Sequence, residues 1–394
     1  MKQARYIDLG RRLLDYQERP ENSLADSIAY NDTSVYVSEE RFRREQEVLF
    51  RKNPLVIGFS CETAEVGDFL TDDNTGVPIL VVRGEGGRLN AFLNSCRHRG
   101  AAIAEQRCGK GRKNFACPYH GWVYGMDGSL VSIPDQGYGF EGIEREKLGL
   151  IPLPVAERDG LIWVLPDPEG SLDLSAFLEG LSDELGAIGF GNYSHFQTVT
   201  LRRPLNWKLV SEGFWEGYHL KVLHKKTIEP IFLPKATAFD EFGKHHRMTI
   251  ARRTLTELKA QPESEWDLLP HTAMVYNFFP NTIFVLQGDH VEITRVFPGT
   301  KVDECVIHFS LFTPEPCSSK SARGHWQRNM DLLLATVEQE DFRVAGAIQR
   351  AASSRLQRYQ VIGRYEPALA HFHRTIRLAL GEPPDVVPEF ASGA

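Results

Sequence analysis

Four residues constrain this chain more than any others: Cys96 and His98, then Cys117 and His120, with 18 residues separating His98 from Cys117. Two thiolates and two neutral imidazoles form a donor set for zinc or iron. A structural Zn(Cys2His2) site uses the same ligands. Zinc spacings, however, group cysteine with cysteine and histidine with histidine, whereas here each segment contributes one of each. That pairing fits a [2Fe–2S] cluster in which one iron takes both cysteines and the other both histidines, an exchange that raises the reduction potential. The sequence around the quartet, from Leu55 to Val164, is a series of short β-rich runs punctuated by glycine, such as Ile79–Arg83, Leu89–Leu93 and Leu161–Leu165. Cys61, Cys108, Cys305 and Cys317 match no ligand position and read as packing or surface thiols.

A second constellation lies about 100 residues downstream, in Asn206-Trp-Lys…Glu216-Gly-Tyr218-His219…His224. On a regular α-helix a five-residue step turns the second histidine about 140° from the first, too far to share one metal. If both bind the same ion, the helix must end, bend or carry a π-turn between Leu220 and Leu223. Such distortions are frequent at functional sites. Two imidazoles still need a third ligand.

The bulk properties exclude several classes of function. A net charge of −7 argues against nucleic acid or an anionic membrane as partner. No apolar run approaches the roughly 20 residues that span a bilayer, and Met1–Asp8 has no apolar signal core. A cytoplasmic protein with reduced thiols is expected. Three segments are expected: an N-terminal stretch (1–35), a β-rich domain (36–166) and a second domain (167–394), with Pro166–Gly170 as junction. Leu9–Tyr16, Ser38–Phe50 and Leu174–Leu185 read as helices. Phe196–Leu201 reads as a strand, and residues 225–270 as loops with one or two short elements. Met274–Phe279, Thr282–Gln287, His290–Phe297 and Glu304–Thr313 read as consecutive antiparallel strands. A long helix over 321–353, straight or kinked, and a last one over 365–380 follow.

The two Cys/His boxes resemble those of Rieske domains, and the segment from Asn206 to His224 is similar to the mononuclear-iron segment of Rieske non-haem iron oxygenase large subunits. The resemblance covers roughly residues 36–380, with both motifs in family order. It implies an α+β fold: an N-terminal Rieske β-domain, then a helix-grip (START-like) catalytic domain with an antiparallel sheet. It also implies a [2Fe–2S] cluster on Cys96, His98, Cys117 and His120, and mononuclear Fe(II) on His219, His224 and a carboxylate from a C-terminal helix.

Glu338, Glu340 and Asp341 are the candidates for that carboxylate. At about 100° per residue, Met330, Leu334, Val337, Val344, Ala345 and Ile348 fall within about 60° of Asp341. An acid centred on an apolar stripe needs a strong partner, so Asp341 is favoured, and the family pattern agrees. By the same resemblance Glu216 connects His219 to the partner subunit's His120, giving electrons a route between centres. Glutamate at this position resembles the branch that acts on choline, carnitine and betaines. Gly213 stands where many relatives have asparagine, so no role of that asparagine carries over. Tyr218 has two readings, a gate for O2 or substrate and a packing tyrosine.

The activity implied is that of the terminal oxygenase of a multicomponent system, an oxidoreductase using O2 and electrons from NAD(P)H. A separate reductase, with or without a ferredoxin, is required, because the chain has no dinucleotide-binding glycine motif after a strand and no plant-type ferredoxin cysteine set. A homotrimer is the implied assembly, with or without a small β subunit. The expected reaction is hydroxylation of an aromatic or similar small organic substrate. The alternative is monooxygenation of a quaternary amine by N-demethylation or hydroxylation. Tyr276, Phe278, Phe284, Phe297 and Phe309 are candidates for an apolar slot or an aromatic cage around an ammonium.

Overall fold

The computed structural model describes residues 3–19 and 21–388. Contacts divide the chain into two compact units, residues 46–177 and residues 1–45 together with 178–394. The first unit is built from short strands. A five-stranded sheet runs in the order Pro152–Leu153, Leu89–Leu93, Ile79–Arg83, Phe69–Asp72, Cys108–Gly109, and two three-stranded sheets accompany it. Its core gathers Phe69, Leu80, Val82, Phe92, Phe115, Trp122 and Tyr124. Each comes from a strand or from the cysteine loops, so the loops are seated on packed aromatic side chains.

The second unit is an eight-stranded sheet in the order Glu21–Asn22, Phe232–Phe242, His245–Arg252, Thr272–Phe278, Thr282–Leu286, Val291–Pro298, Cys305–Thr313, Ser194–Arg203. All neighbours are antiparallel except the first pair. The strands from Thr272 to Thr313 follow the expected hairpins. Phe232–Phe242 and His245–Arg252 fall where loops were expected. The reason is burial of residues that usually mark surface: His245, His246 and Arg247 are nearly inaccessible. Arg247 keeps its charge there by pairing with Glu184 and Asp240.

Three further differences bear on the site. Residues 36–45, expected with the β-rich domain, group with the second unit, and so does the N-terminal segment. Long-range polar contacts hold them. Ala29–Asp32 pairs with Tyr359–Ile362. The Tyr36 hydroxyl donates to Glu212 at 2.8 Å, and Lys208 Nζ reaches both Glu45 oxygens at 2.9 and 2.7 Å with both side chains buried. The segment after Asn206 is helical only over Trp207–Glu212. The long C-terminal helix is interrupted: α-helix over Lys320–Thr336, a π-helical turn over Val337–Asp341, then α-helix over Phe342–Ser353. Among the described residues no helix is long and apolar enough to cross a membrane.

Candidate metal centres and substrate cavity

The two Cys/His loops are built alike. In each, the cysteine carbonyl accepts from the glycine four residues on (Gly100 N–H to Cys96 O, 2.8 Å; Gly121 N–H to Cys117 O, 3.0 Å). Both glycines have positive φ, 81° and 71°, a region that side chains disfavour. Cys96 and Cys117 are buried side by side, and burial pushes the Cys117 thiol above its ordinary value. The Tyr124 hydroxyl lies 3.4 Å from Cys96 Sγ and accepts from Arg97 N–H at 3.0 Å. The imidazoles sit outward. His98 Nδ1 and His120 Nδ1 are 3.1 Å apart, and His98 stacks on Trp122 at 5.0 Å. Two thiols inside and two imidazole nitrogens outside, each pair able to share one iron, is the donor geometry of a [2Fe–2S] cluster with split ligation.

In the second unit His219, His224 and Asp341 bring one ligand atom each within 4.8 Å of one another. The Nε2 atoms of His219 and His224 are 3.0 Å apart, and Asp341 Oδ1 lies 3.1 Å from His224 Nε2 and 3.8 Å from His219 Nε2. Two imidazoles and one carboxylate on one face are the facial donor set of non-haem Fe(II). The distortion expected between Leu220 and Leu223 is absent. The helix has already ended, and turns closed by Leu223 N–H to His219 O (2.8 Å) and His224 N–H to Leu220 O (3.2 Å) aim both rings inward. The π-turn instead sits under Asp341. Of the three candidates it is Asp341, the one favoured by regular-helix geometry, that converges with the two histidines, while the irregularity falls elsewhere.

The imidazoles are held from behind. Glu216 Oε1 contacts His219 Nδ1, and its Oε2 accepts from the His219 N–H at 3.1 Å and from the Tyr218 N–H. Glu340, set aside as a ligand, does the same for His224: its Oε2 lies 2.6 Å from His224 Nδ1 and accepts from Thr227 Oγ1 at 2.8 Å. A metal-binding imidazole whose other nitrogen meets a carboxylate is fixed in tautomer and orientation. Glu338 turns away to Arg203. The sequence carried one usable signal for Glu340: adjacent helical residues diverge, so a ligand's neighbour can reach a flanking histidine.

The triad opens into a cavity of about 930 Å³. Its walls are mostly aliphatic, with Leu220, Leu223, Ile228, Val275 and Ile348 among them. Of the five sheet aromatics expected there, none lines it. Strand register explains the correction for the central ones. Met248, Val275 and Val285 pair across one face, whereas Tyr276 pairs with Phe284 on the other, which packs on Phe190 at 5.3 Å. Tyr218 is not among the residues lining the cavity; it is 66% exposed, with its ring 4.6 Å from Tyr365.

Residues 54–144 match the Rieske [2Fe-2S] domain, and residues 190–382 match the ring hydroxylating alpha subunit (catalytic domain). The glycine betaine monooxygenase oxygenase subunit of Chromohalobacter salexigens is 31% identical over 72% of this chain and 69% of that protein. The biphenyl 2,3-dioxygenase subunit alpha of Rhodococcus jostii is 33% identical over 48% of this chain and 42% of that protein. The crystal structure of a quaternary ammonium Rieske monooxygenase in complex with L-carnitine superposes with a TM-score of 0.77 at 19% identity, over 92% of this chain and 97% of that one. The chain belongs to the Rieske oxygenase alpha subunits, oxygen-incorporating oxidoreductases that carry a [2Fe–2S] cluster and a mononuclear iron.

Proposed function

We propose that this terminal oxygenase holds its cluster on Cys96, His98, Cys117 and His120 and its Fe(II) on His219, His224 and Asp341, and that it oxidises an apolar organic substrate seated in the 930 Å³ cavity. The observation that carries the reading is the convergence of the three ligand atoms at the wall of that cavity. When bound, the two centres supply electrons and O2 activation; a separate reductase delivers the electrons. The chain's own residues supply the rest. Glu216 and Glu340 fix the two imidazoles with their Nε2 atoms inward. Leu220, Leu223, Ile228 and Ile348 exclude water and give an arene or other apolar body its contact surface. We assign Glu216 a second task, linking His219 to the partner subunit's His120 in a homotrimer. Its support is the family resemblance and the carboxylate's seat on His219 Nδ1.

A second reading, oxidation of a quaternary amine, is favoured by two observations. One is the named substrates of the glycine betaine relative and of the carnitine-bound structure. The other is the presence of Glu212, Glu216 and Glu366 among the cavity-lining residues. The described lining residues also include three phenyl rings, Phe214, Phe232 and Phe342.

Two measurements test the proposal. Asp341→Ala should lose mononuclear iron while keeping the cluster's visible spectrum, and Cys96→Ser should do the reverse. NADH and O2 consumption with a surrogate reductase should be stimulated by arenes and not by glycine betaine, carnitine or choline. Stimulation by the amines alone would establish the second reading.

A further inference from the structure

We propose that Arg252 anchors an oxygen acceptor at one end of an elongated, largely apolar substrate; this rests on the cavity being the substrate chamber. The shape comes first. Asn329 and Asp341 both line the cavity and stand 12 positions apart on the helix that the π-turn interrupts, at most about 18 Å at the α-helical rise of about 1.5 Å per residue. At 930 Å³ the volume is near the upper end, about 1,000 Å³, of chambers that enclose drug-sized ligands. A betaine, whose ammonium and carboxylate are one methylene apart, spans a fraction of that length.

A polar cluster interrupts the aliphatic lining at the Asn329 end: Arg252, Gln287, Asp289, His290 and Glu292. Asn329 Nδ2 lies 3.3 Å from His325 Nε2, which lies 3.2 Å from Asp289 Oδ2. Counting donors and acceptors shows what is spent. His290 Nδ1 meets Asp289 Oδ1 at 2.7 Å, and its Nε2 meets Glu292 Oε1 at 3.2 Å. The other Glu292 oxygen accepts from Gln287 Nε2 at 3.5 Å, and the other Asp289 oxygen faces His325. Both carboxylates and both His290 nitrogens are thus engaged. Arg252 is not. Its Nη2 donates to Gln287 Oε1 at 2.8 Å and its guanidinium lies 5.7 Å from the Phe232 ring centre, while its Nε is buried with no hydrogen-bond partner.

The Nε–H is closed off from the cavity, so the donors left for a ligand are the N–H groups of Nη1, which make no hydrogen bond among the described residues, on a side chain placed on the cavity face by the alternation Met248, Ile250, Arg252 along its strand. The guanidinium has N–H donors left over, and they fit a carbonyl, hydroxyl or carboxylate oxygen. Two cations against two carboxylates leave the cluster formally neutral, so a neutral oxygen and a carboxylate both qualify.

Equilibrium binding to the iron-replete holoenzyme, followed by calorimetry, tests this with three probes of one shape: pyrenebutyrate, pyrenebutanol and butylpyrene. Pyrenebutyrate, pyrenebutanol or both should bind more tightly than butylpyrene. Arg252→Met should weaken the oxygen-bearing probes by about 10–100-fold, as for a hydrogen bond to a charged group, and leave butylpyrene unchanged. Arg252→Lys should restore part of the loss. Loss for pyrenebutyrate alone identifies a carboxylate end, and loss for both identifies any oxygen. Gln287→Leu, which removes the Arg252 Nη2 contact that orients the guanidinium, should give the same ranking with a smaller loss if Arg252→Met does not fold. Equal loss for all three probes, no loss, or no binding of any pyrene would overturn the proposal. Iron content and arene-stimulated O2 uptake are read on the same samples, so the oxygenase reading stands or falls separately.

Discussion

Glu340 offers the sharpest test of how the mononuclear site is held, because it sits beside the assigned ligand and was itself a candidate. Its carboxylate makes two contacts, 2.6 Å to His224 Nδ1 and 2.8 Å from Thr227 Oγ1. A hydrogen bond to a charged group contributes about 1.5–3 kcal/mol, which at about 1.4 kcal/mol per decade is roughly 10–150-fold in an equilibrium constant. Loss of such an outer partner typically weakens metal binding by about 10–100-fold. Glu340→Ala should therefore weaken Fe(II) binding by that range without abolishing it. Glu340→Gln keeps an acceptor for Nδ1–H and should lose less. Thr227→Val removes only a neutral donor, worth about 0.5–1.5 kcal/mol, and should cost the least. Asp341→Ala should remove the iron. The assay is competition for Fe(II) against a chromophoric chelator under anaerobic conditions. If Glu340→Ala lost its iron completely while Asp341→Ala retained it, the two residues would have to exchange roles and the geometric assignment would be wrong.

Two further outcomes follow from buried charge. Lys208→Met should destabilise the fold by about 1.5–3 kcal/mol, the worth of a hydrogen bond to a charged group and less than the cost of a fully stranded buried charge, because Glu45 keeps Trp207 Nε1 at 2.9 Å and Arg41 at 3.1 Å; chemical denaturation reads it, and a change below about 1 kcal/mol would refute it. His290 is desolvated, which lowers its pKa, but Asp289 and Glu292 outweigh that and raise it to about 9. A raised folded pKa means the stabilisation is complete below about 6.5 and is lost as pH climbs through about 9. The stability difference between wild type and His290→Gln should shrink by about 3 kcal/mol between pH 6 and 9.5; a constant difference would show that His290 is not charged.

Much of this architecture is legible in sequence because it rests on local chemistry. The cysteine loops announce themselves by donor type and spacing, and the hairpins between Thr272 and Thr313 by β-branched runs and turn residues. What stayed hidden depends on distant partners. His245-His246-Arg247 reads as loop until Glu184 and Asp240 are known to meet Arg247 inside the sheet. Residues 36–45 read as part of the β-rich domain until Lys208 is seen on Glu45. Glu184 and Lys208 lie 63 and 163 residues from the residues they meet, and no propensity encodes such contacts.

The misplaced details of the site share a single cause, which is that direction is set by backbone irregularity. Two histidines five positions apart can converge through a π-turn or through an ended helix, and spacing does not distinguish them. Here the chain ends the helix at Glu212 and places the π-turn under Asp341 instead. The sheet aromatics fail for the related reason that strand register decides which face meets the cavity. Tyr276 pairs with Phe284 and turns from it, while Val275, one residue earlier, lines it. The residues that converge were therefore readable from donor chemistry, whereas the lining of the cavity was not. Its aliphatic walls and the uncommitted Arg252 emerge only once register is known, and they bear most directly on which molecule the oxygenase accepts.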